Sequence, residues 1–257
     1  MPAVDTCLFV GACPFRDAPS APSDLLALRK AAGLSQGAAT GYSSIFYHDP
    51  SEGLKKDLDN FLELADWLSF YAVVNPDFPN PEKHVQAAAL ERRVVGLRLI
   101  PCLHHVNLSA SATVRTVRAA AEAGLPVTIT ARLFDGRIAP RCVQQAEPNM
   151  QHLVALLNAV PEATIVLSMF FFAELAAMKV DWDELPNVFI DLGCSKPTVR
   201  SFDTLPDWFT PERVLLGTGA PFYYWKGSRL ALEASQLTSD QKQAILKTTA
   251  EEVLRWD

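Results

Sequence analysis

Short apolar runs alternate with longer amphipathic stretches along the whole chain. Runs with the length and composition of buried strands occupy residues 4–10, 37–42, 68–74, 94–100, 126–131, 163–169, 188–192 and 213–216. Helical spacing of apolar positions occurs between them at residues 23–32, 52–65, 82–92, 110–123, 151–160 and 171–178, and more weakly at 201–209. This alternation over 257 residues predicts an α/β protein, a (β/α)8 TIM barrel that forms a single domain over residues 1–257.

Residues at the segment ends support this prediction. Asn80 precedes Pro81 as a helix cap, and Gly33 and Gly124 stand where two helices should end. The TSDQ sequence at residues 238–241 has the spacing of a capping box before the last helical segment. A doubly wound open sheet is the alternative, but the chain lacks the Gly-rich phosphate-loop motifs that are typical of that fold.

Composition narrows the class of protein. Hydrophobic residues make up 49% and charged residues 20%, which suits one large core, and the net charge of −6 argues against a nucleic-acid partner. The first residues lack a basic leader, and no long apolar stretch would span a membrane. The five cysteines form no C-x-x-C pair, so we expect free thiols and a cytoplasmic location.

Six segments occur in the order and spacing of a known family. They are AVVNP at residues 72–76, VGLRLIP at 95–101, GLPVTIT at 124–130, IVLSM at 165–169, NVFID at 187–191 and LGTGAPF at 216–222. With YHDPSEG at 47–53, they resemble the amidohydrolase superfamily, in the amidohydrolase-related branch of barrel hydrolases, lactonases and decarboxylases. The resemblance runs over residues 5–254 and implies the same barrel fold.

The resemblance also implies metal ligands at the carboxyl ends of the strands, but the ligand positions carry other residues. Cys7 and Phe9 stand at the H-x-H pair of the first strand. Thr130 and Met169 stand at the histidines of the fifth and sixth strands, and Gly219 stands at the aspartate of the eighth. The histidine that often follows the fourth strand corresponds to Ile100. A catalytic divalent metal needs about three N, O or S ligands, which this set does not supply. We therefore expect no metal and no other cofactor.

Other polar residues are predicted near the same end of the barrel. Cys7 is a weak candidate for a nucleophile, and His48, His104 and Arg98 are weak candidates for binding or acid–base groups, although each histidine is better explained as an exposed loop residue. Arg98 has the strand parity of an inward residue, and its guanidinium would suit a carboxylate. The full set of candidate ligand-binding residues is Asp5, Arg98, Thr130, Arg132, Asp191 and Tyr223.

Loop residues leave two interpretations open. All five cysteines, Cys7, Cys13, Cys102, Cys142 and Cys194, are predicted after strands, where they would either bind another metal or pack as small hydrophobes. Since neighbours in an extended segment point in opposite directions, at most one of His104 and His105 should face the mouth. Four cationic residues would either bind a ligand or pair with Asp135 or Glu147; they are Arg132, Arg137, Arg141 and Lys196. Aromatic residues would either fill the mouth or line an apolar pocket, among them Phe9, Phe170 and Tyr223.

Three functions fit these residues. The first is a barrel without its metal, retained as a binding or regulatory protein (a pseudoenzyme). The second is a metal-independent hydrolase, lactonase or decarboxylase that acts on a small carboxylated or cyclic substrate. The third is an assembly partner of an active homologue. In each case the expected ligand is a small organic molecule, anionic if Arg98 binds it, and a homo-oligomer is compatible with the sequence.

Overall fold

The computed structural model describes residues 1–135, 143–194 and 210–256. Within them, eight parallel strands alternate with helices, which confirms the predicted (β/α)8 barrel. The strands are β1 (Ala3–Val10), β2 (Leu34–Gly41), β3 (Leu68–Val73), β4 (Val94–Leu99), β5 (Val127–Thr130), β6 (Ile165–Ser168), β7 (Val188–Asp191) and β8 (Val214–Leu215). The weak helix predicted at residues 201–209 lies outside the described residues.

Each strand pairs with its neighbours in chain order from β1 to β8. The ring is closed by hydrogen bonds between β1 and the residues that follow β8. The Thr6 amide donates to the Leu216 carbonyl at 2.8 Å, and the Gly219 amide donates to the Cys7 carbonyl at 2.9 Å. These bonds bring the carboxyl ends of the first and last strands together at the barrel mouth.

The helices of the described residues surround this barrel. They are α1 (Pro22–Ala32), α2 (Tyr42–Phe46), α3 (Pro50–Asn60), α4 (Pro81–Leu90), α5 (Pro101–His104), α6 (Ser111–Glu122), α7 (Met150–Ala159), α8 (Phe172–Ala177), α9 (Lys226–Ala234), α10 (Ser239–Gln243) and α11 (Thr249–Val253). A π-helical segment, Ala244–Thr248, joins the last two. None of them is long and apolar enough to cross a lipid bilayer.

Several boundaries differ from the sequence prediction. The second predicted helix starts earlier, because the Asp49 side chain accepts the Ser51 amide at 2.8 Å and Pro50 occupies the first turn. Tyr42 begins α2 and does not end a strand. Asn80 does precede α4, but its backbone is left-handed (φ 56°) and its side chain makes no capping hydrogen bond. The Thr238 capping box forms as predicted.

A β-bulge in β1 decides which of its side chains face the barrel interior. Asp5 pairs with Gly37 and Leu8 pairs with Ala39, so β1 contains one extra residue in this stretch. The extra residue reverses the alternation of side chains, as a bulge does. Val4 therefore points into the base of the barrel and Leu8 points outward to the helices. Cys7 points into the interior at the mouth.

The barrel interior has an apolar base. Val4, Val166 and Leu215 pack against Ala250 of α11. Beside them, Ala38, Tyr71 and Val95 pack against Leu254, and the Arg255 amide donates to the Val95 carbonyl at 3.0 Å. The C-terminal helices therefore close the base, which leaves the opposite end of the barrel for a functional site.

Candidate functional site

The residues at the family ligand positions converge at the barrel mouth. Cys7 lies in β1, Thr130 ends β5, and Met169 follows β6 with a left-handed backbone (φ 62°). A Cβ atom at Gly193 would lie 2.5 Å from Met169 Sδ and 3.4 Å from Cys7 Sγ. The two sulfur atoms therefore occupy the space around Gly193, and a larger side chain there would displace them.

A group of buried side chains, called here the mouth cluster, fills this end of the barrel. Aromatic rings pack together in it: the centroids of Phe134 and Phe222 are 4.6 Å apart, and those of Phe9 and Phe222 are 5.8 Å apart. The members of the cluster are Cys7, Phe9, Tyr42, Ile45, Val73, Ile100, Cys102, Leu133, Phe134, Val143, Met169, Cys194 and Phe222. The prediction that aromatic residues fill the mouth thus describes Phe9 well.

Two further aromatic residues named from the sequence lie elsewhere than expected. Phe170 belongs to the main core between strands and helices, because its side chain points away from the barrel interior. Phe171 contacts the mouth cluster in its place. Tyr223 is partly buried against the cluster, and its hydroxyl accepts a hydrogen bond from Cys194 Sγ at 3.4 Å.

Between the base and the mouth cluster lies a polar layer, which comprises Asp5, Cys7, Arg98, Ser168 and Asp191. Arg98 is fully buried in it. Its guanidinium carbon is 4.3 Å from the ring centroid of Tyr71 in the base and 5.4 Å from that of Phe9 in the mouth cluster. Arg98 therefore points inward, as its strand parity indicates.

The Arg98 guanidinium has weak partners for a buried charge. Nη2 donates to the Thr6 carbonyl at 3.3 Å, and Nη1 donates to Cys7 Sγ at 3.9 Å. Among the described residues, Nε makes no hydrogen bond and Arg98 forms no ion pair within 4 Å, although its charge is close enough to Asp191 to lower the pKa of that carboxyl group. Buried charges are normally paired and hydrogen-bonded, so this cation has unused capacity for an anion.

Two buried carboxyl groups hold the backbone around the polar layer. Asp5 accepts the Thr218 hydroxyl at 2.6 Å and the Thr218 and Cys7 amides at 3.1 and 3.0 Å. Asp191 accepts the Gly193 and Met169 amides at 2.9 and 3.1 Å. Burial raises the pKa of Asp5 to about 6 and also raises the pKa of Asp191. Both groups stabilise loop backbone and keep protons to higher pH than exposed aspartates.

The Cys7 thiol is placed poorly for nucleophilic chemistry. Sγ lies 3.6 Å from the Ser168 hydroxyl, and burial raises the thiol pKa to about 12, so the sulfur is protonated at neutral pH. Cys7 lies within β1, which corrects the prediction that it follows the strand. Cys13, Cys102 and Cys194 do follow strands, and neither they nor Cys7 form a disulfide bond within the described part of the chain. Cys142 lies outside the described residues.

Neither candidate histidine reaches the polar layer. His48 is exposed and lies against Phe78, with ring centroids 6.1 Å apart. His104 Nε2 donates to the Ile45 carbonyl at 3.0 Å, and burial lowers the pKa of this imidazole. The predicted extended segment is wrong here, because His104 ends α5 and His105 adopts a left-handed backbone (φ 55°) that leaves it exposed.

Arg132 differs from Arg98 in that strong partners surround it. Both of its terminal nitrogens bond to the Glu174 carboxylate, Nη1 donates to the Met169 carbonyl at 2.7 Å, and Glu147 lies at 3.4 Å. Its guanidinium also lies 3.9 Å from the Phe171 ring centroid. The pairing with Glu147 was foreseen, whereas Glu174 was missed. Arg137, Arg141 and Lys196 lie outside the described residues.

Glu174 carried a sequence signal that points to a local role. It is the third residue of α8, and its carboxylate accepts the Phe171 amide at 2.8 Å, as in a capping box. Nothing in the local pattern indicates that an arginine from the end of β5 reaches the same carboxylate. Thr130, another candidate, has a buried hydroxyl without a hydrogen-bond partner in the described part of the chain.

The donor set at the mouth does not fit a divalent metal. Cys7, Met169 and Thr130 offer one thiol, one thioether and one hydroxyl, and no group of three His, Cys, Asp or Glu residues within the described ranges is arranged to hold a metal. Arg98 adds repulsion, since its Nη1 lies 3.9 Å from Cys7 Sγ. At an effective dielectric constant of about 20, a unit charge and a divalent ion about 4 Å apart repel by about 8 kcal/mol.

The fold and the position of these residues define a (β/α)8 barrel protein whose candidate site lies at the carboxyl ends of the strands. The family model described as amidohydrolase matches residues 14–256, and the chain belongs to this family. No curated protein matches the chain in sequence.

Solved structures of low sequence identity share the fold. The 5-carboxyvanillate decarboxylase from Sphingomonas paucimobilis has a TM-score of 0.71 at 14% identity, with 100% of this chain and 99% of that chain covered. The 2,6-dihydroxybenzoate decarboxylase from Rhizobium has a TM-score of 0.70 at 14% identity, with 98% of each chain covered. A probable 2-pyrone-4,6-dicarboxylic acid hydrolase from Acinetobacter baumannii has a TM-score of 0.64 at 13% identity, with 98% and 99% covered.

Proposed function

We propose that this amidohydrolase-family barrel works without a metal and serves as a binding or regulatory protein for a small cyclic carboxylate. The observation that carries the proposal is the buried Arg98 guanidinium beside Cys7, a position where the family resemblance places a metal ligand. A fixed cation at this place supplies positive charge to the barrel interior and opposes the entry of a divalent ion.

The chemistry of the layer supports an anionic ligand. Arg98 Nε is unpaired among the described residues, and a guanidinium binds a carboxylate through two parallel hydrogen bonds. The ring of Phe9 over the guanidinium and the Phe222 ring packed against it suit the apolar face of a cyclic compound. The names of the three structural neighbours specify carboxylated rings as what those proteins act on, which is consistent with this ligand class.

Ligand entry requires part of the mouth cluster to move. The fully buried Phe9 lies over the Arg98 guanidinium, and Phe222, which is 7% exposed, packs against Phe9. We propose that the ligand ring displaces Phe222, which follows β8 in a connecting segment and lies outside the strands. The carboxylate then reaches the guanidinium, and the displaced ring packs against the bound molecule.

The test is equilibrium binding of ring carboxylates to chelator-treated protein. Isothermal titration with 2,6-dihydroxybenzoate, 5-carboxyvanillate and 2-pyrone-4,6-dicarboxylate should give binding that Arg98→Met weakens about 10- to 150-fold, the value of a charge-assisted hydrogen bond of about 1.5–3 kcal/mol. Arg115→Met is the matched control, because Arg115 is an exposed arginine that pairs with Glu82. Binding that needs added zinc or manganese, or that ignores Arg98→Met, contradicts the proposal.

A metal-independent enzyme is the second candidate, and the raised pKa of Asp5 favours it. A fully buried carboxyl group that titrates at about 6 has the properties of a general acid or base near neutral pH. Chelator-insensitive turnover of the same carboxylates that is lost in Arg98→Ala would establish this candidate. His104→Ala should leave such turnover unchanged, because His104 bonds to the Ile45 carbonyl.

We also propose a reducing, cytoplasmic location. Cysteines without a disulfide bond are typical of proteins kept reduced, and the four of the described residues form none: Cys7, Cys13, Cys102 and Cys194. Fractionation of cells that express a tagged full-length chain tests this location, and recovery of the protein from an oxidising compartment contradicts it.

A further inference from the structure

A serine and a histidine meet outside the barrel interior, in a groove between α3 and α4. The Ser51 hydroxyl lies 2.6 Å from His84 Nδ1. Both side chains are partly exposed and line the groove, which has a volume of about 510 Å³. This volume lies within the usual range of small-molecule sites, about 300–1,000 Å³. The pair therefore combines a hydroxyl nucleophile, a base and room for a small ligand.

The start of α3 provides a suitable setting for Ser51. Asp49 Oδ1 accepts the Ser51 amide at 2.8 Å, and the Asp49 carbonyl accepts the Gly53 amide at 3.1 Å. The intervening amide of Glu52 has no hydrogen-bond partner among the described residues. A free backbone N–H directly after a nucleophile can stabilise the oxyanion of a tetrahedral intermediate.

We propose that Ser51 and His84 form a second, metal-independent site with esterase activity. Ser51 Oγ attacks the ester carbonyl carbon as its proton passes to His84 Nδ1, and the Glu52 amide donates to the oxyanion. The bond to the alkoxy group then breaks, and that group takes the proton from His84. Water hydrolyses the acyl-serine by the same route, which releases the acid and restores the Ser51 hydroxyl.

The groove lining indicates the class of ester. Its apolar surface comes from Leu54, Leu58, Ala72, Val74 and Ala88. Its charged edge carries both signs, with Lys55 and Arg93 alongside Asp59 and Glu91. An apolar floor with a charge-balanced edge suits a neutral ester with a short apolar acyl chain, in contrast to the anionic ligand proposed for the barrel interior.

The test uses the full chain, a fluorophosphonate probe and p-nitrophenyl butyrate. We expect the probe to label Ser51, as mapped by peptide mass spectrometry, and Ser51→Ala to lose both labelling and hydrolysis. His84→Asn keeps an acceptor near the Nδ1 position but cannot serve as the base, so it should lower hydrolysis about 100-fold or more. Ser109→Ala is the matched control, because that exposed serine bonds only to Asn107.

Thermal unfolding separates this activity from a purely structural hydrogen bond between α3 and α4. If the pair is only structural, Ser51→Ala lowers the melting temperature and leaves hydrolysis and labelling unchanged, which overturns the proposal. Labelling at another residue, or equal hydrolysis by Ser51→Ala and Ser109→Ala, overturns it as well. Arg98→Met should not affect hydrolysis in the groove, so this proposal and the proposed function fail independently.

Discussion

Replacement of Arg98 by methionine separates a ligand-binding role from a structural one. Methionine has a similar length and is apolar, so it suits the contacts with Tyr71 and Phe9 that the Arg98 side chain now makes. The substitution removes the buried charge and its hydrogen bonds to Thr6 and Cys7. The change in the free energy of unfolding depends on whether the lost contacts outweigh the desolvation penalty that disappears with the buried charge.

The stabilising contacts of Arg98 and the desolvation penalty of its buried charge nearly cancel. The bond from Arg98 to the Thr6 carbonyl is charge-assisted and worth about 1.5–3 kcal/mol, and a desolvated cation–π contact such as that with Tyr71 adds about 2 kcal/mol. The desolvation penalty of a buried ion is also several kcal/mol. Arg98→Met should therefore change the free energy of unfolding by less than about 2 kcal/mol in either direction, as replacements of buried ions by hydrophobic residues often do.

Arg132→Met is the matched comparison. It removes the partner of Glu174, whose side chain is 22% exposed, together with the bond to the Met169 carbonyl. Breaking a fully buried pair costs about 3–5 kcal/mol, and the partial exposure of Glu174 lowers this to about 2–3 kcal/mol. Urea unfolding followed by circular dichroism measures both variants. If Arg98→Met is the more destabilising of the two, Arg98 is a structural residue and the reasoning that assigns it to a ligand is refuted.

Three other predictions follow from buried groups. Gly41→Ala should destabilise the protein by about 2–4 kcal/mol in urea unfolding, because the new Cβ would lie 2.0 Å from the Asp57 carboxylate. This carboxylate accepts hydrogen bonds from Ser44 in α2, which the clash would disturb. An unchanged unfolding midpoint contradicts this prediction. Burial raises the pKa of Asp5 from 3.8 to about 6, so the folded protein holds this proton more tightly than the unfolded chain does. The stabilisation by protonated Asp5 is therefore complete below about pH 4 and is lost as the pH rises to about 6. The free energy of unfolding of Asp5→Asn, taken relative to that of wild type, should therefore rise by about 3 kcal/mol as the pH is raised from 4 to 7. A difference that does not change with pH would refute the raised pKa of Asp5. Iodoacetamide should modify the partly exposed Cys13 in the native protein and reach Cys7 only on unfolding, and rapid native alkylation of Cys7 would contradict its burial.

The sequence predicted the barrel because its signal is periodic and local. Each strand is a short apolar run and each intervening helix has its own spacing, so the order of elements emerges without knowledge of tertiary contacts. Arg98 followed from the same alternation within β4. The bulge in β1 could not be predicted, because it depends on the register between two strands and not on composition.

The site was harder to predict because its partners are distant in sequence. The Arg132–Glu174 pair spans 42 positions, and the Asp5–Thr218 bond spans 213. The segment with His104 reads as a loop after a strand, yet it forms the one-turn helix α5 that turns His104 toward α2. Such placements are set by tertiary packing, which residue spacing along the chain does not encode.

The metal content of the purified chain decides whether the barrel holds a divalent ion. The protein is incubated with zinc and manganese, passed through a desalting column and analysed by inductively coupled plasma mass spectrometry. We predict metal far below one equivalent per chain, because Arg98 and the poor donors around Cys7 disfavour a divalent ion. One tightly bound equivalent that is lost in Cys7→Ala or Asp191→Ala would show that the barrel mouth holds a metal after all.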